Sequence, residues 1–402
     1  MPESELLALR EQIPALKESV YLNTGGVAPL PAPVYRRLSA EFEERHLVGA
    51  PLNLRPDSFQ QQKDSLRASM ADFLGVRPAE ICFTRGVSDG ANIVMNGLPW
   101  QEGDEIVLTD EEYPSFILPA LALQQRRGVR IRIVELADDR DTILQRFEEA
   151  LGPRTRLVAV SHVTTDAGLR LPARQICALA HEAGALVYFD GAQAVGQFPV
   201  DLAEMGCDFY SLLSYKWLLG PYSAGLLYVR QAQMETLAVD WVGARATQAF
   251  DLSAGTMELL PDARRYEFGP FPWPLYFALG EAAAWLDSIG LPRIEAAVQA
   301  KVAYLRQELA RIPGVTLHSP ADPALRTGMV AFGLQGATGE AVSRALRRRR
   351  NIITRATHVR TDGVRACVAF FTSMAEVGCL LECVSELATE ARRCRHTVTD
   401  FD

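Results

Sequence analysis

Between about residues 60 and 230 the chain alternates short apolar runs with amphipathic ones, and this alternation narrows the fold more than any other feature. Seven runs read as strands: 80–85 (EICFTR), 104–109 (DEIVLT), 130–135 (RIRIVE), 156–162 (RLVAVSH), 185–190 (ALVYFD), 208–213 (DFYSLL) and 225–229 (GLLYV). Several are apolar at nearly every position, which suits strands covered on both faces of a sheet. The intervening segment LPARQICALAHEAG has Pro172 in its first turn and Gly184 at its end, the expected helix punctuation. Repeated strand–helix–strand units predict an α/β fold with a mostly parallel seven-stranded sheet flanked by helices. Such sheets take ligands at the carboxyl ends of their strands.

After GPFPWPLY (269–276) a long helical pattern runs to about residue 312. A compact α+β segment follows, with strand candidates GMVAFGL and GVRACVAFF and a last helix around 374–393. The expected division is an N-terminal arm (1–30) packed on the small domain, a large domain (31–275) and a small C-terminal domain (276–402). The small domain would open with one linking helix over about 276–312.

A chain of 402 residues, 48% hydrophobic, can bury both cores. A mean hydropathy of +0.01 and the lack of a long uncharged apolar run argue against a membrane span. The start MPESELLALREQIPALKES lacks the basic and apolar regions of a signal peptide. A net charge of −8 with interspersed signs gives nucleic acid no basic face. The run Arg347, Arg348, Arg349, Arg350 ends a helical pattern, where cations suit the dipole. The seven cysteines (82, 177, 207, 367, 379, 383 and 394) are odd in number and lack CxxC spacing. Neither a metal site nor a disulfide framework is expected, and a reducing cytoplasm fits.

Three motifs lie at strand ends. In FDGAQAVG a strand ends at Asp190, with Gln193 three residues on. A carboxylate there needs a cationic partner, and a protonated pyridine nitrogen would be one that keeps its ring an electron sink. In SLLSYKWLLGP, Lys216 follows an apolar strand between Tyr215 and Trp217, a setting that lowers an amine's pKa and frees it to form an imine. In FTRGVSDGAN, Gly86, Val87 and Ser88 stand at a helix start, where N–H groups and a hydroxyl cradle phosphate. Each motif alone fits a turn or cap. Together they match the phosphate, ring nitrogen and aldehyde of one cofactor.

With these motifs the chain resembles class V of the fold-type-I pyridoxal-phosphate enzymes, which includes cysteine desulfurases, cystine C–S lyases, kynureninases and isopenicillin N epimerase-like proteins. The resemblance runs from YLNTGGVAPLP (21–31) through SHVTTDAGLRLP to VRACVAFFTSMAEV. It implies pyridoxal 5'-phosphate with Lys216 as the Schiff-base lysine and acid/base. Asp190 would lie on the ring nitrogen, Gln193 on the phenolic oxygen, and Gly86, Val87, Ser88, Ser214 and Tyr215 at the phosphate. Tyr113 takes the place of a ring-stacking histidine, and His162 would sit near the ring as a catalytic candidate or a structural hydrogen-bond partner. Arg365 matches the substrate-carboxylate arginine, and Asn23, Gly25 and Thr165 would also meet substrate. The family's shared sites imply a homodimer, with Pro270 and Phe271 near the partner's cofactor.

Desulfurases need a nucleophilic cysteine on the loop before the arginine, and residues 351–363 (NIITRATHVRTDG) contain none. The RAC strand looks most like the cystine C–S lyases, which implies α,β-elimination from cystine, cysteine or a cysteine S-conjugate. Epimerisation or transamination, desulfurase-like sulfur transfer and a non-catalytic cofactor-binding regulator are the alternatives. Cys367 shares the strand face of Arg365, with a packed core role expected for it. Specificity is expected from the TGGVAP turn, the Trp273 region and residues 355–358.

Overall fold

The computed structural model describes residues 1–357, 359–393 and 398–401. All seven expected strands form: β1 (Ile81–Thr84), β2 (Glu105–Thr109), β3 (Arg130–Val134), β4 (Thr155–Ser161), β5 (Leu186–Asp190), β6 (Phe209–Leu213) and β7 (Gly225–Val229). They make one sheet in the order β1-β7-β6-β5-β4-β2-β3. The run from β6 to β3 is parallel, and β7 lies antiparallel to both β6 and β1. The apolar runs are explained by two covered faces. On β4, Leu157 and Ala159 enter one core while Val158 and Val160 enter the other. Edge strand β3 is largely exposed, and its RIRIV alternation lets Arg132 reach Glu105 at 2.9 Å.

The helices that position the site are α1 (Pro56–Leu74), α2 (Val87–Gly97), α3 (Pro114–Arg127) and α4 (Ala173–Glu182). Helix α4 buries Ala173, Ile176, Cys177 and Ala180, a stripe at helical spacing. The expected single linking helix is two helices, α5 (Trp273–Ile289) and α6 (Leu291–Arg311). Gly290 separates them at φ +92°, and Pro292 in the next first turn has no N–H to continue the ladder. Helix α5 packs against α1 and the 32–47 helix, on the large-sheet side of the break.

The C-terminal part holds a four-stranded antiparallel sheet of β8 (Val315–Leu317), β9 (Met329–Leu334), β10 (Arg355–Thr357) and β11 (Gly363–Cys367), in the order β8-β9-β11-β10. Helices α7 (Gly339–Arg350) and α8 (Met374–Ala391) accompany it. The N-terminal segment docks here. Arg10 donates to Glu376 and to Phe371 O, and Val20–Tyr21 pairs in parallel with Ile352–Ile353. Three of the four terminal arginines of α7 pair with acids: Arg348 with Asp400, Arg349 with Glu390 and Arg350 with Glu386. Cys394 lies outside the described residues. Among the described residues no helix is long and apolar enough to cross a membrane, and no His/Cys/Asp/Glu group could hold a metal ion.

A buried ion pair ties the sheet's β1 edge to its surroundings. Arg67 on α1 meets Glu267 at 2.8 Å and donates to Ile81 O, while Glu267 accepts the Phe83 N–H. Burial pushes the Glu267 carboxyl up, and Arg67 holds it down. Arg67→Met strands that carboxylate and should cost about 3–5 kcal/mol in urea denaturation. Arg67→Met with Glu267→Leu should recover much of the loss.

Candidate active site

Strand order reverses between β4 and β2, and a cavity of about 370 Å3 opens near the carboxyl ends of the parallel strands. It brings together Gly86, Val87 and Ser88 from the start of α2, Tyr113 from the start of α3, and Thr165 after β4. Asp190 and Gln193 enter after β5, and Tyr215 and Lys216 after β6.

At one end of the cavity, Gly86 caps α2 at φ +151°, a conformation that favours glycine. The N–H groups of Val87 and Ser88 have no acceptor among the described residues, so α2 presents free donors and its positive dipole end to the cavity. Ser214 does not join them. The chain coils tightly after β6, and the Ser214 hydroxyl donates into that coil to Pro221 O. Ser223, held at φ +58°, lines the cavity instead. Its sequence context, a serine after Gly-Pro-Tyr, carries no signal that sets it apart.

Asp190 and Lys216 face each other electrostatically from neighbouring strand ends. Burial pushes the Asp190 carboxyl up, while Lys216 and the Ala192 N–H at 2.8 Å pull it back. Burial lowers the Lys216 amine to about 8, against the raising effect of Asp190, with Arg365 and Arg355 lowering it further. The Lys216 Nζ lies 5.5 Å from the centroid of the Tyr113 ring, which is 41% exposed. Gln193 donates to Gly25 O and accepts from Trp217 Nε1, each at 2.8 Å, which fixes its amide with one N–H unused. Tyr215 stacks on Tyr222 at 4.5 Å.

Beneath these lies Glu112, which the sequence reading passed over. It accepts from Thr109 Oγ1, Ser161 N and Ser161 Oγ. Burial pushes it up to about 7 against those hydrogen bonds, and the Asp190 charge adds to the rise.

The small-domain side supplies Arg365, which is 2% exposed. Its Nη1 donates to Thr165 O, while Nε and Nη2 have no partner among the described residues. Buried unpaired N–H groups on a cation are costly unless an anion arrives. Arg355 stands directly opposite Arg365 in the β10–β11 register. Gly25 marks a close approach: a Cβ there would meet Gln193 Oε1 at 2.9 Å, Cys367 Sγ at 3.0 Å and Arg365 Nη2 at 3.5 Å. Cys367 is fully buried and borders this cluster. Asn23 Oδ1 is buried without a partner.

Two expected neighbours, His162 and Trp273, lie elsewhere. His162 follows Ser161, and strand alternation turns its ring to the other face, where Nδ1 meets Tyr210 Oη at 3.0 Å. Burial lowers His162 to about 3, so it is a neutral ring outside the cavity rather than an acid/base within it. Trp273 packs on Phe59 and Phe83, so it belongs to the core. Phe271 packs on Trp273 and Tyr276 of its own chain, and Pro270 is exposed; neither lines this cavity. His358 lies outside the described residues.

The family model described as aminotransferase class-V matches residues 20–380. The chain is 29% identical to a probable cysteine desulfurase of Methanothermobacter thermautotrophicus, over 94% of this chain and 97% of that one. It is 31% identical to a cysteine desulfurase of Cronobacter sakazakii, over 82% of each. Among solved structures, it is similar to C-DES carrying glycine covalently linked to its PLP cofactor, with a TM-score of 0.87, 28% identity, and coverage of 94% and 99%. It also matches the cystine C–S lyase C-DES in complex with its reaction product cysteine persulfide, with a TM-score of 0.85, 27% identity, and coverage of 93% and 99%.

Competitive labelling of the cofactor-free protein with acetic anhydride, which acylates an amine only in its unprotonated form, should show Lys216 deprotonating near pH 8. Asp190→Asn removes the group that raises this value, so the midpoint should fall. A midpoint in the usual lysine range would contradict the buried setting.

Proposed function

Because the chain belongs to the class-V aminotransferase family, we propose that it is a pyridoxal-phosphate-dependent carbon–sulfur lyase that acts on cystine or a related cysteine derivative by α,β-elimination. The donor set fits the cofactor. Free N–H groups at the start of α2 suit a phosphate, a buried carboxylate suits a protonated ring nitrogen, and a buried amine lies in the same cavity. When bound, pyridoxal phosphate supplies an electron-withdrawing ring that stabilises negative charge at the substrate α-carbon, so that a β-substituent can leave.

The chain's own residues take the remaining roles. Val87 and Ser88 would hold the phosphate, Asp190 would keep the ring nitrogen protonated, and the unused Gln193 N–H would donate to the phenolic oxygen. Tyr113 covers one ring face. Lys216 would hold the cofactor through its aldehyde and, as the free amine, would move the proton of the substrate α-carbon, a task that suits an amine titrating near 8. Arg365 takes the α-carboxylate with the N–H groups that otherwise lack partners.

The observation that carries elimination is segment 351–363: it has no cysteine and instead sets Arg355 across from Arg365. Like charges directly opposite are unfavourable in a sheet, and an anionic ligand relieves them. A substrate with two carboxylates, such as cystine, gives each arginine one. Sulfur transfer is the second reading, favoured by Cys367 beside Arg365. We further propose a homodimer, since the hairpin of Thr247–Asp251 and Thr256–Leu259 exposes Phe250, Leu252 and Met257, and a cytoplasmic setting, which suits the free cysteines among the described residues.

Holoenzyme given cystine should release pyruvate and ammonia, and alanine as the main product would overturn elimination. Arg365→Ala should lower kcat/KM by roughly 10- to 150-fold, the loss of a charge-assisted pair. Arg355→Ala should raise KM for cystine about tenfold while sparing S-methylcysteine, which has one carboxylate.

A further inference from the structure

A second cavity, of about 340 Å3, lies beside the β4–β5–β6 face that carries Phe189 and Tyr210, away from the active site. We infer that it binds a small organic anion, a carboxylate or phosphate on an apolar body. Leu171, Pro172, Val200, Met205 and Leu325 give it an apolar lining.

Its polar groups are Arg140, His162, Arg170, Arg174 and Gln175, with Asp201 and Glu204 as the acids. Each acid has a partner near the helix start. Glu204 pairs with Arg174 at 3.3 Å, and Asp201 accepts the Glu204 N–H at 2.8 Å. Arg170 pairs with Glu295 at 2.9 Å and covers the Phe198 ring at 3.8 Å. Arg140 has no carboxylate partner among the described residues and reaches only the Gln175 amide.

Two further donors are free. The Arg174 N–H, in the first turn of the ten-residue helix α4, has no acceptor among the described residues. His162 is 3% exposed and lines the cavity. Tyr210 Oη has no other partner among the described residues, so the tautomer in which it donates to His162 Nδ1 is the one that satisfies its proton. That tautomer puts the ring proton on Nε2, which has no partner of its own. An uncommitted guanidinium, a helix N-terminal N–H and a buried neutral imidazole N–H on one apolar-floored cavity suit an anionic head group with an apolar tail.

The test is calorimetric titration of the holoenzyme with phenylacetate, phenyl phosphate and benzyl alcohol. At least one anion should bind, with the two anions showing which head group is preferred, and benzyl alcohol should not. Arg140→Ala should weaken binding about tenfold or more, whereas Arg365→Ala in the active site should leave it unchanged. With 15N-labelled histidine, the His162 Nε2 resonance should move on binding. Binding unaffected by Arg140→Ala, binding lost with Arg365→Ala, equal binding of the alcohol, or no binding of either anion would each overturn the site.

Discussion

The opposition of a buried carboxylate and a buried amine at neighbouring strand ends organises this molecule. Asp190 and Lys216 each suffer desolvation, and each holds the other's charge in place. Neither would be tolerated alone at that depth. The parallel register of β5 and β6 aims both at one cavity, and the turn after each strand is built to keep them there. The Ala192 N–H steadies Asp190, and the tight coil from Ser214 to Pro221 locks the chain that carries Lys216.

Around that pair the cavity is left with unmet hydrogen-bonding capacity. The Val87 and Ser88 N–H groups, the second Gln193 N–H and the free edge of Arg365 are all donors waiting for acceptors. Buried donors are costly when unpaired, so an anionic guest that accepts from them is favoured. Arg365 comes from the C-terminal sheet and the others from the large sheet, so these donors come from both parts of the chain.

The sheet separates two chemistries one residue apart. Ser161 faces the active-site cavity and is held by Glu112, whereas His162 turns to the other face and binds Tyr210. A motif that contains both residues does not say which faces the cavity; strand alternation does. The same rule places Cys367 beside Arg365, buried against Gly25 at the border of the substrate side.

Much was legible in the sequence because it depends on local patterning. Short runs rich in apolar or alternating residues marked all seven strands of the large sheet, and the Gly-Val-Ser, Asp-Gly-Ala-Gln and Tyr-Lys-Trp motifs lay at strand ends where such sheets gather ligands. The break at Gly290 was missed because the apolar pattern runs through it, although a glycine and a proline two residues apart could have revealed it. Ser214, His162 and Trp273 could not be placed from spacing, because a turn's internal hydrogen bond, the face of a strand and the packing of an aromatic cluster decide where each side chain goes. By itself, then, the sequence determined the sheet and the residue types at its ends, since hydrophobic periodicity and turn chemistry act over a few residues. Only the tertiary structure decided the cross-strand meeting of Arg355 with Arg365, the Glu112 carboxyl beneath Ser161 and the second cavity, since these join residues ten or more positions apart whose proximity no local pattern encodes.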